Sequence, residues 1–268
     1  MDDDGVYRRR LKFMPSTVER FSNRVENYVK YRPDYPREIF QLFRDAMNLQ
    51  SDSVVADIGA GTGISARLFL ENGNPVFGVE PNAAMRNAAE NFLIDFPNFE
   101  SVDGTAENTN LEDGAIDFIV AAQAFHWFDE TKTRAEFKRI LKAGGYVVLM
   151  WNERQLDTTA FLQDYENLLI EFGTDYAQVR HENITKETLQ KFFQTDFEQA
   201  VFQNEQTVDF DGLKGRMLSS SYIPSEENPR FLEMIKNLEL LFAEHKENGK
   251  IDILYNTNIF YGQLWLDS

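Results

Sequence analysis

The sequence predicts an α/β protein built on a doubly wound, mostly parallel sheet. Three observations point there. Short apolar runs alternate with amphipathic stretches of helical length through residues 52–151. Two of those runs end on an acid, Asp57 and Glu80. The first passes directly into a glycine turn, Gly59-Ala60-Gly61-Thr62-Gly63, and then into a helical pattern. A strand covered on both faces by helices reads as a continuous apolar run. Strands that alternate with helices of this length pair in parallel, with right-handed crossovers.

Taken in order, residues 1–14 are charged and irregular and read as a loose arm. An aromatic and arginine-rich stretch follows, from Phe21 to Tyr35. Pro36 suits the first residue of a helix, and Ile39, Phe40, Phe43, Ala46 and Met47 recur at helical spacing. Residues 52–58 read as the first strand. Residues 64–72 read as a helix stopped by Gly73. Residues 76–80 form a second strand, after which Asn82 caps a helix over 83–93. Residues 99–102 and 115–122 read as the third and fourth strands. Asp129 opens a helix that runs through Leu141 and stops at Gly144-Gly145, and residues 146–151 form a fifth strand.

The alternation then loosens. Helical patterns occupy residues 158–172, 186–193, 213–220 and 228–247, with residues 173–185 as loop. Two late strands, 197–208 and 251–265, lack a crossover of the earlier kind. They predict an antiparallel strand at the edge of the same sheet, seven strands in all. No repeat or low-complexity linker divides residues 1–268. The expectation is a single domain in which residues 155–245 partly form a helical lid over the substrate.

Composition narrows the functional classes. The formal net charge is −17, which repels nucleic-acid backbones and anionic lipid. There are no cysteines and three histidines, His126, His181 and His245, so neither a disulfide framework nor a metal site is expected. The start, Met1-Asp2-Asp3-Asp4, is unlike the positive end of a signal peptide. No apolar run reaches the ~18 residues of a membrane span. The expectation is a cytoplasmic protein, monomer or homodimer, acting on a small molecule.

The two strand-end acids carry the chemistry. An acid at the end of the second strand accepts the hydroxyls of a ribose lying across the glycine turn. An acid directly before the glycines repels a pyrophosphate and favours a positive ligand. The glycines are spaced Gly-x-Gly-x-Gly, at 59, 61 and 63, and not in the Gly-x-Gly-x-x-Gly pattern of a dinucleotide site. S-adenosylmethionine, with a ribose, a sulfonium, an ammonium and no phosphate, meets these conditions.

On Asp57-Ile-Gly-Ala-Gly-Thr-Gly, Val79-Glu-Pro-Asn, Gly104-Thr-Ala-Glu, Ala115-Ile-Asp-Phe-Ile-Val and Ala122-Gln-Ala-Phe-His-Trp-Phe, the chain resembles the class I SAM-dependent methyltransferases. More narrowly, it resembles the small-molecule branch related to trans-aconitate methyltransferase. Leu141-Lys-Ala-Gly-Gly, Tyr31-Arg-Pro-Asp-Tyr-Pro and Gly215-Arg-Met-Leu-Ser-Ser-Ser-Tyr-Ile-Pro extend the likeness over most of residues 20–265. The resemblance implies a Rossmann-like transferase with S-adenosyl-L-methionine as cofactor. It implies that Gly59 and Gly61 pass under the methionine and that Glu80 holds the ribose hydroxyls, with Asp57 and Ala60 beside them also counted as cofactor-binding. Pro81 and Asn82 would flank the adenine, and Thr105 and Ala106 would cover its other side. Thr105 departs from the aspartate common there. Gln123 would accept from the ammonium, and Tyr31 and Arg32 would close on the carboxylate.

His126 and Trp127 are the candidates beside the transferred methyl, with His126 the base if the acceptor is a hydroxyl, an amine or an acidic carbon. A carboxylate acceptor needs no base. Trp127, Trp151 and Tyr222 are candidate walls of the acceptor pocket. Arg154, His181 and Arg216 are the candidate cations for an acidic acceptor. Two other readings fit the same residues: a SAM-binding protein without transferase activity, and a nicotinamide-dependent oxidoreductase on a similar fold.

Overall fold

The computed structural model describes residues 30–174, 176, 185–220 and 222–264. In chain order the elements are α1 (Ile39–Met47), β1 (Val55–Ile58), α2 (Ile64–Glu71), β2 (Val76–Val79), α3 (Ala83–Phe92), β3 (Phe99–Val102) and β4 (Ile116–Ala122). They continue with a 3-10 turn (Phe125–Trp127), α4 (Glu130–Ile140), β5 (Leu141–Arg154), α5 (Ala160–Phe172), α6 (Lys186–Phe193), β6 (Phe197–Val208), α7 (Phe210–Leu218), α8 (Phe231–His245) and β7 (Ile251–Gly262). The expected arm over residues 1–14 and His181 lie outside the described residues.

The seven strands form one sheet in the order β3-β2-β1-β4-β5-β7-β6. Strands β1 to β5 pair in parallel, and β7 runs antiparallel to both β5 and β6. The late strands therefore make up the predicted antiparallel margin, with β6 outermost and β7 one place in.

Period-two alternation sorts the central strands into two cores. From β4 and β5, Ile119, Ala121, Val147, Leu149 and Trp151 face one side, where Phe137 and Ile140 of α4 and Phe192 and Phe193 of α6 cover them. Phe118, Val120, Val148 and Met150 face the other, under Ile39, Phe40 and Phe43 of α1 and Phe69 of α2. Burying one such side chain contributes about 1.5–3 kcal/mol. A third apolar cluster lies beyond the sheet centre. There Phe161, Leu162 and Tyr165 of α5, Leu213 and Met217 of α7, and Met234 and Leu238 of α8 pack on Ile253 and Tyr255 of β7.

Several boundaries moved for local reasons. The fifth strand begins at Leu141, because Leu141 already pairs with Ile116 before a register shift lets Tyr146 pair with Phe118. The helix before it ends one residue earlier, at Ile140. Helix α7 starts at Phe210 and not Leu213, because the Asp209 side chain accepts from the Gly212 amide as an N-cap.

Candidate active site

The site lies at the carboxyl ends of β1, β4 and β5. Its pocket is lined by Arg32, Tyr35, the turn from Gly59 to Thr62, Gln123, Asn152 and Arg216, among others. All three glycines of the turn have positive φ, 72°, 56° and 85° at Gly59, Gly61 and Gly63. At Gly61 a Cβ would meet nothing closer than the turn's own Gly59 carbonyl, 4.0 Å away. A side chain there would therefore be strained and would project into open space.

The turn's amides are already engaged. Gly59 and Ala60 donate to the Val79 carbonyl at 2.9 and 3.2 Å. Gly61 donates to Glu80 Oε2 at 3.1 Å, while Glu80 Oε1 accepts from the Asn82 amide at 2.9 Å. A carboxylate thus stands where a phosphate-binding turn would present free N–H groups. Burial raises the Glu80 pKa, against the two backbone donors that lower it.

Asp57 is fully buried beneath this turn. Its Oδ2 accepts from Ser65 Oγ at 2.6 Å, and its Oδ1 has no partner among the described residues. Burial first, and the Glu80 charge to a lesser degree, push its pKa up to about 7. Asp57 is therefore a charge under the floor and does not line the pocket. Asn82 uses its side-chain oxygen to cap α3, accepting from the Ala84 and Met85 amides. Pro81 lies between Glu80 and that cap. Thr105 pairs with Asn108 through backbone hydrogen bonds of 3.0 and 3.2 Å in the next loop, and Ala106 beside it is buried.

Gln123 follows the last paired residue of β4 and has φ of 59°. Its amide donates to the Met150 carbonyl at 2.9 Å, and its side-chain Nε2 donates to the Asn152 carbonyl at 3.2 Å. That leaves Oε1 buried at the pocket wall with no partner among the described residues. Arg32 lines the same pocket and donates from Nη2 to the Ser219 carbonyl at 3.1 Å. Tyr31, its neighbour in sequence, does not line it. The Tyr31 ring lies against Gly215, where any Cβ would collide with it.

The predicted acceptor side is redrawn. Trp151 is core, only 2% exposed, with its ring against Phe125 and Phe260. Arg154 is held inside by Glu166 and by the Tyr176 hydroxyl at 3.1 Å, so it is not a cation for an acceptor. Tyr222 stands by Tyr176, 4.7 Å between ring centroids. His126 and Trp127 form the 3-10 turn after Gln123 with their rings 4.6 Å apart, outside the pocket lining. Burial lowers the His126 pKa to about 4, which removes the near-neutral basicity that made it a candidate base.

Arg216 differs from Arg154. Its Nε donates to the Tyr255 hydroxyl at 3.2 Å and its Nη1 to Ser220 Oγ at 3.1 Å. Among the described residues no carboxylate pairs with it, and it lines the pocket. Asn152 also lines the pocket and has no counterpart in the sequence-level reading. Its signal, a polar residue inside the apolar fifth strand, was present in Met150-Trp151-Asn152. No group of three or more metal-ligating side chains occurs among the described residues.

Residues 56–149 match the family model described as a methyltransferase domain. Over this stretch the chain is similar to methyltransferase domains. The matched residues include Asp57, the glycine turn, Glu80, Thr105 and Gln123, whereas Arg32, Asn152 and Arg216 lie outside them. An uncharacterized methyltransferase-like protein of Schizosaccharomyces pombe is 29% identical over 59% of this chain and 60% of its own. An uncharacterized methyltransferase of Mycobacterium tuberculosis is 34% identical over 50% of this chain and 52% of its own. The chain thus spans between half and three-fifths of these relatives. Among solved structures, a provisionally named type II methyltransferase from Anaeromyxobacter dehalogenans shares the fold. Its TM-score is 0.66 and its identity 19%, over 87% of this chain and 98% of that one. A provisionally named methyltransferase of an antibiotic biosynthesis pathway from Anabaena variabilis aligns at TM-score 0.57 and 25% identity, over 84% and 96%.

Proposed function

We propose that the protein is an S-adenosylmethionine-dependent methyltransferase whose acceptor is a small anionic molecule. The Glu80 carboxylate on the Gly61 amide carries this reading. It fits a ribose, whose hydroxyls donate to its remaining lone pairs, and it opposes a phosphate in the turn. The Gln123 Oε1, without a partner among the described residues, is an acceptor suited to an ammonium. Arg32 is the carboxylate partner at the methionine end. Asp57, where it is deprotonated above its raised pKa of about 7, adds negative charge beneath a positive ligand. Bound S-adenosylmethionine supplies a methyl group already activated on a sulfonium.

The residues of this chain then have limited tasks: to hold the acceptor atom about 3–3.5 Å from the methyl in line and to keep water out. Arg216, which no carboxylate among the described residues pairs with, supports an anionic acceptor. A carboxylate acceptor also removes the need for a base, in keeping with the weakly basic His126. The third cluster, with α5, α7 and α8, is the candidate lid within residues 155–245. The nicotinamide reading requires a pyrophosphate where Glu80 and Asp57 stand.

Calorimetry with S-adenosylhomocysteine and with NADH tests the cofactor, and S-adenosylhomocysteine is expected to bind alone. Binding of NADH in its place overturns the proposal. Arg216→Met should leave S-adenosylhomocysteine affinity unchanged and raise the KM for carboxylate acceptors about tenfold or more, since a charged hydrogen bond contributes about 1.5–3 kcal/mol. A panel in which Arg216→Met changes nothing removes the anionic acceptor.

A further inference from the structure

The geometry points to Asn152 as the positioning residue that sets the methionine end of the site. This inference rests on the cofactor reading above. Asn152 is 7% exposed and sits near the end of β5, where the entering segment meets the sheet. Its Oδ1 accepts from Thr257 Oγ1 of β7 at 2.5 Å and from Asn204 Nδ2 of β6 at 3.2 Å. Its Nδ2 donates to the Asp34 carbonyl at 3.2 Å. Its own carbonyl accepts from Gln123 Nε2 at 3.2 Å. One side chain and its peptide thereby tie β4, β6, β7 and the entering segment together.

Two consequences follow for the pocket. First, the Gln123 amide is oriented by its bond to the Asn152 carbonyl, which leaves Oε1 as the free acceptor. Gln123 needs such restraint because it is a non-glycine residue at φ of 59°, a conformation that costs energy unless its surroundings fix it. Second, the segment bearing Arg32 is fastened just downstream. The Asp34 carbonyl accepts from both Asn152 and Asn204, the latter at 2.8 Å, and the Tyr31 carbonyl accepts from Gln206 Nε2 at 3.0 Å. Arg32 lies between these two fixed carbonyls. The two groups suited to the ammonium and the carboxylate of an amino acid are therefore placed by the same residue. Among the described residues, none of these bonds involves Glu80 or the adenine side.

That asymmetry gives the test. S-adenosylhomocysteine and 5′-methylthioadenosine share the nucleoside and the thioether, and only the first has the amino-acid end. Asn152→Ala keeps the carbonyl that Gln123 uses and removes the side-chain bond to the Asp34 carbonyl, so it acts on the segment bearing Arg32. Calorimetry on the full chain should show it weakening S-adenosylhomocysteine by about tenfold or more, as loss of an oriented charged hydrogen bond does. Affinity for 5′-methylthioadenosine should stay within about twofold of the parent protein. Arg32→Ala should give the same pattern, and the double variant should fall short of the sum. If Asn152→Ala does not fold, Asn204→Ala, which removes one of the two bonds to the Asp34 carbonyl from the outer strand, should show the same selective loss to a smaller degree. Equal weakening of both ligands, or no change in either, overturns the inference while leaving the cofactor reading intact. A parent protein that binds neither ligand overturns the cofactor reading itself.

Discussion

At the scale of single residues, the site is governed by what burial does to charge. Asp57 and His126 are shifted in opposite senses by the same cause. Asp57 rises from 3.8 to about 7, so the folded chain holds a proton there that the unfolded chain has released. Its contribution to stability is full below pH 3.8 and is lost as pH rises through about 7. His126 falls from 6.5 to about 4, so the unfolded chain takes up a proton that the folded chain refuses. Its contribution is full above pH 6.5 and is lost as pH falls through about 4. The two partly cancel in the native protein between pH 4 and 6.5. Thermal melts of single variants separate them. His126→Gln should lose less melting temperature than the parent on acidification from pH 6.5 to 4.5. Asp57→Asn should lose less on going from pH 5 to 8. The acid at 57 was legible in the sequence as a charge at a glycine turn. Its depth below that turn was not, because the Ser65 hydroxyl that receives it belongs to the next helix. Arg154 and Arg216 were indistinguishable as residue types. Only packing shows that Glu166 neutralises the first while tyrosine and serine hydroxyls surround the second.

At the scale of elements, alternation of apolar runs with amphipathic ones was enough to place the five parallel strands, because burial on both faces leaves an unmistakable pattern. What it could not convey was which late element touches which early one. The Tyr31 ring and Gly215 are the clearest instance, separated widely in sequence and fitted together in space. The glycine is there because helix α7 must approach the entering segment without a Cβ. Gly215→Val should displace that ring and cost about 1–3 kcal/mol, as overpacking does. Urea unfolding measures the loss, and proteolysis near residues 30–35 should quicken with it. An unchanged midpoint would mean that the ring moves aside freely. The same segment is fastened by Gln206, Asn204 and Asn152, so element α7 and strand β6 both act on the pocket from outside the matched domain.

At the scale of the whole molecule, charge and connectivity set the terms. With a net charge of −17, the compact state suffers self-repulsion that salt screens. The melting temperature should rise as sodium chloride is increased from about 20 to 200 mM, and a fall would show that specific ion pairs outweigh the net charge. No helix among the described residues is long and apolar enough to cross a membrane. Two apolar cores cover the sheet and a third stands beside them, and β7 joins the set, carrying Ile253 and Tyr255 into one cluster and Ile259 into another. The family match ends at residue 149, partway along β5, and the sheet still needs β7 to cover that strand's free edge.

Strand order also bears on how the chain is made. Strand β6, residues 197–208, pairs along its length with β7, and β7 is not synthesised until residues 251–262. While the ribosome adds the stretch between them, β6 has no neighbour to complete its hydrogen bonds. During that interval it is an exposed edge of the kind that recruits other chains. Helix α7, which contacts β6 in the folded protein, is the element translated directly after it.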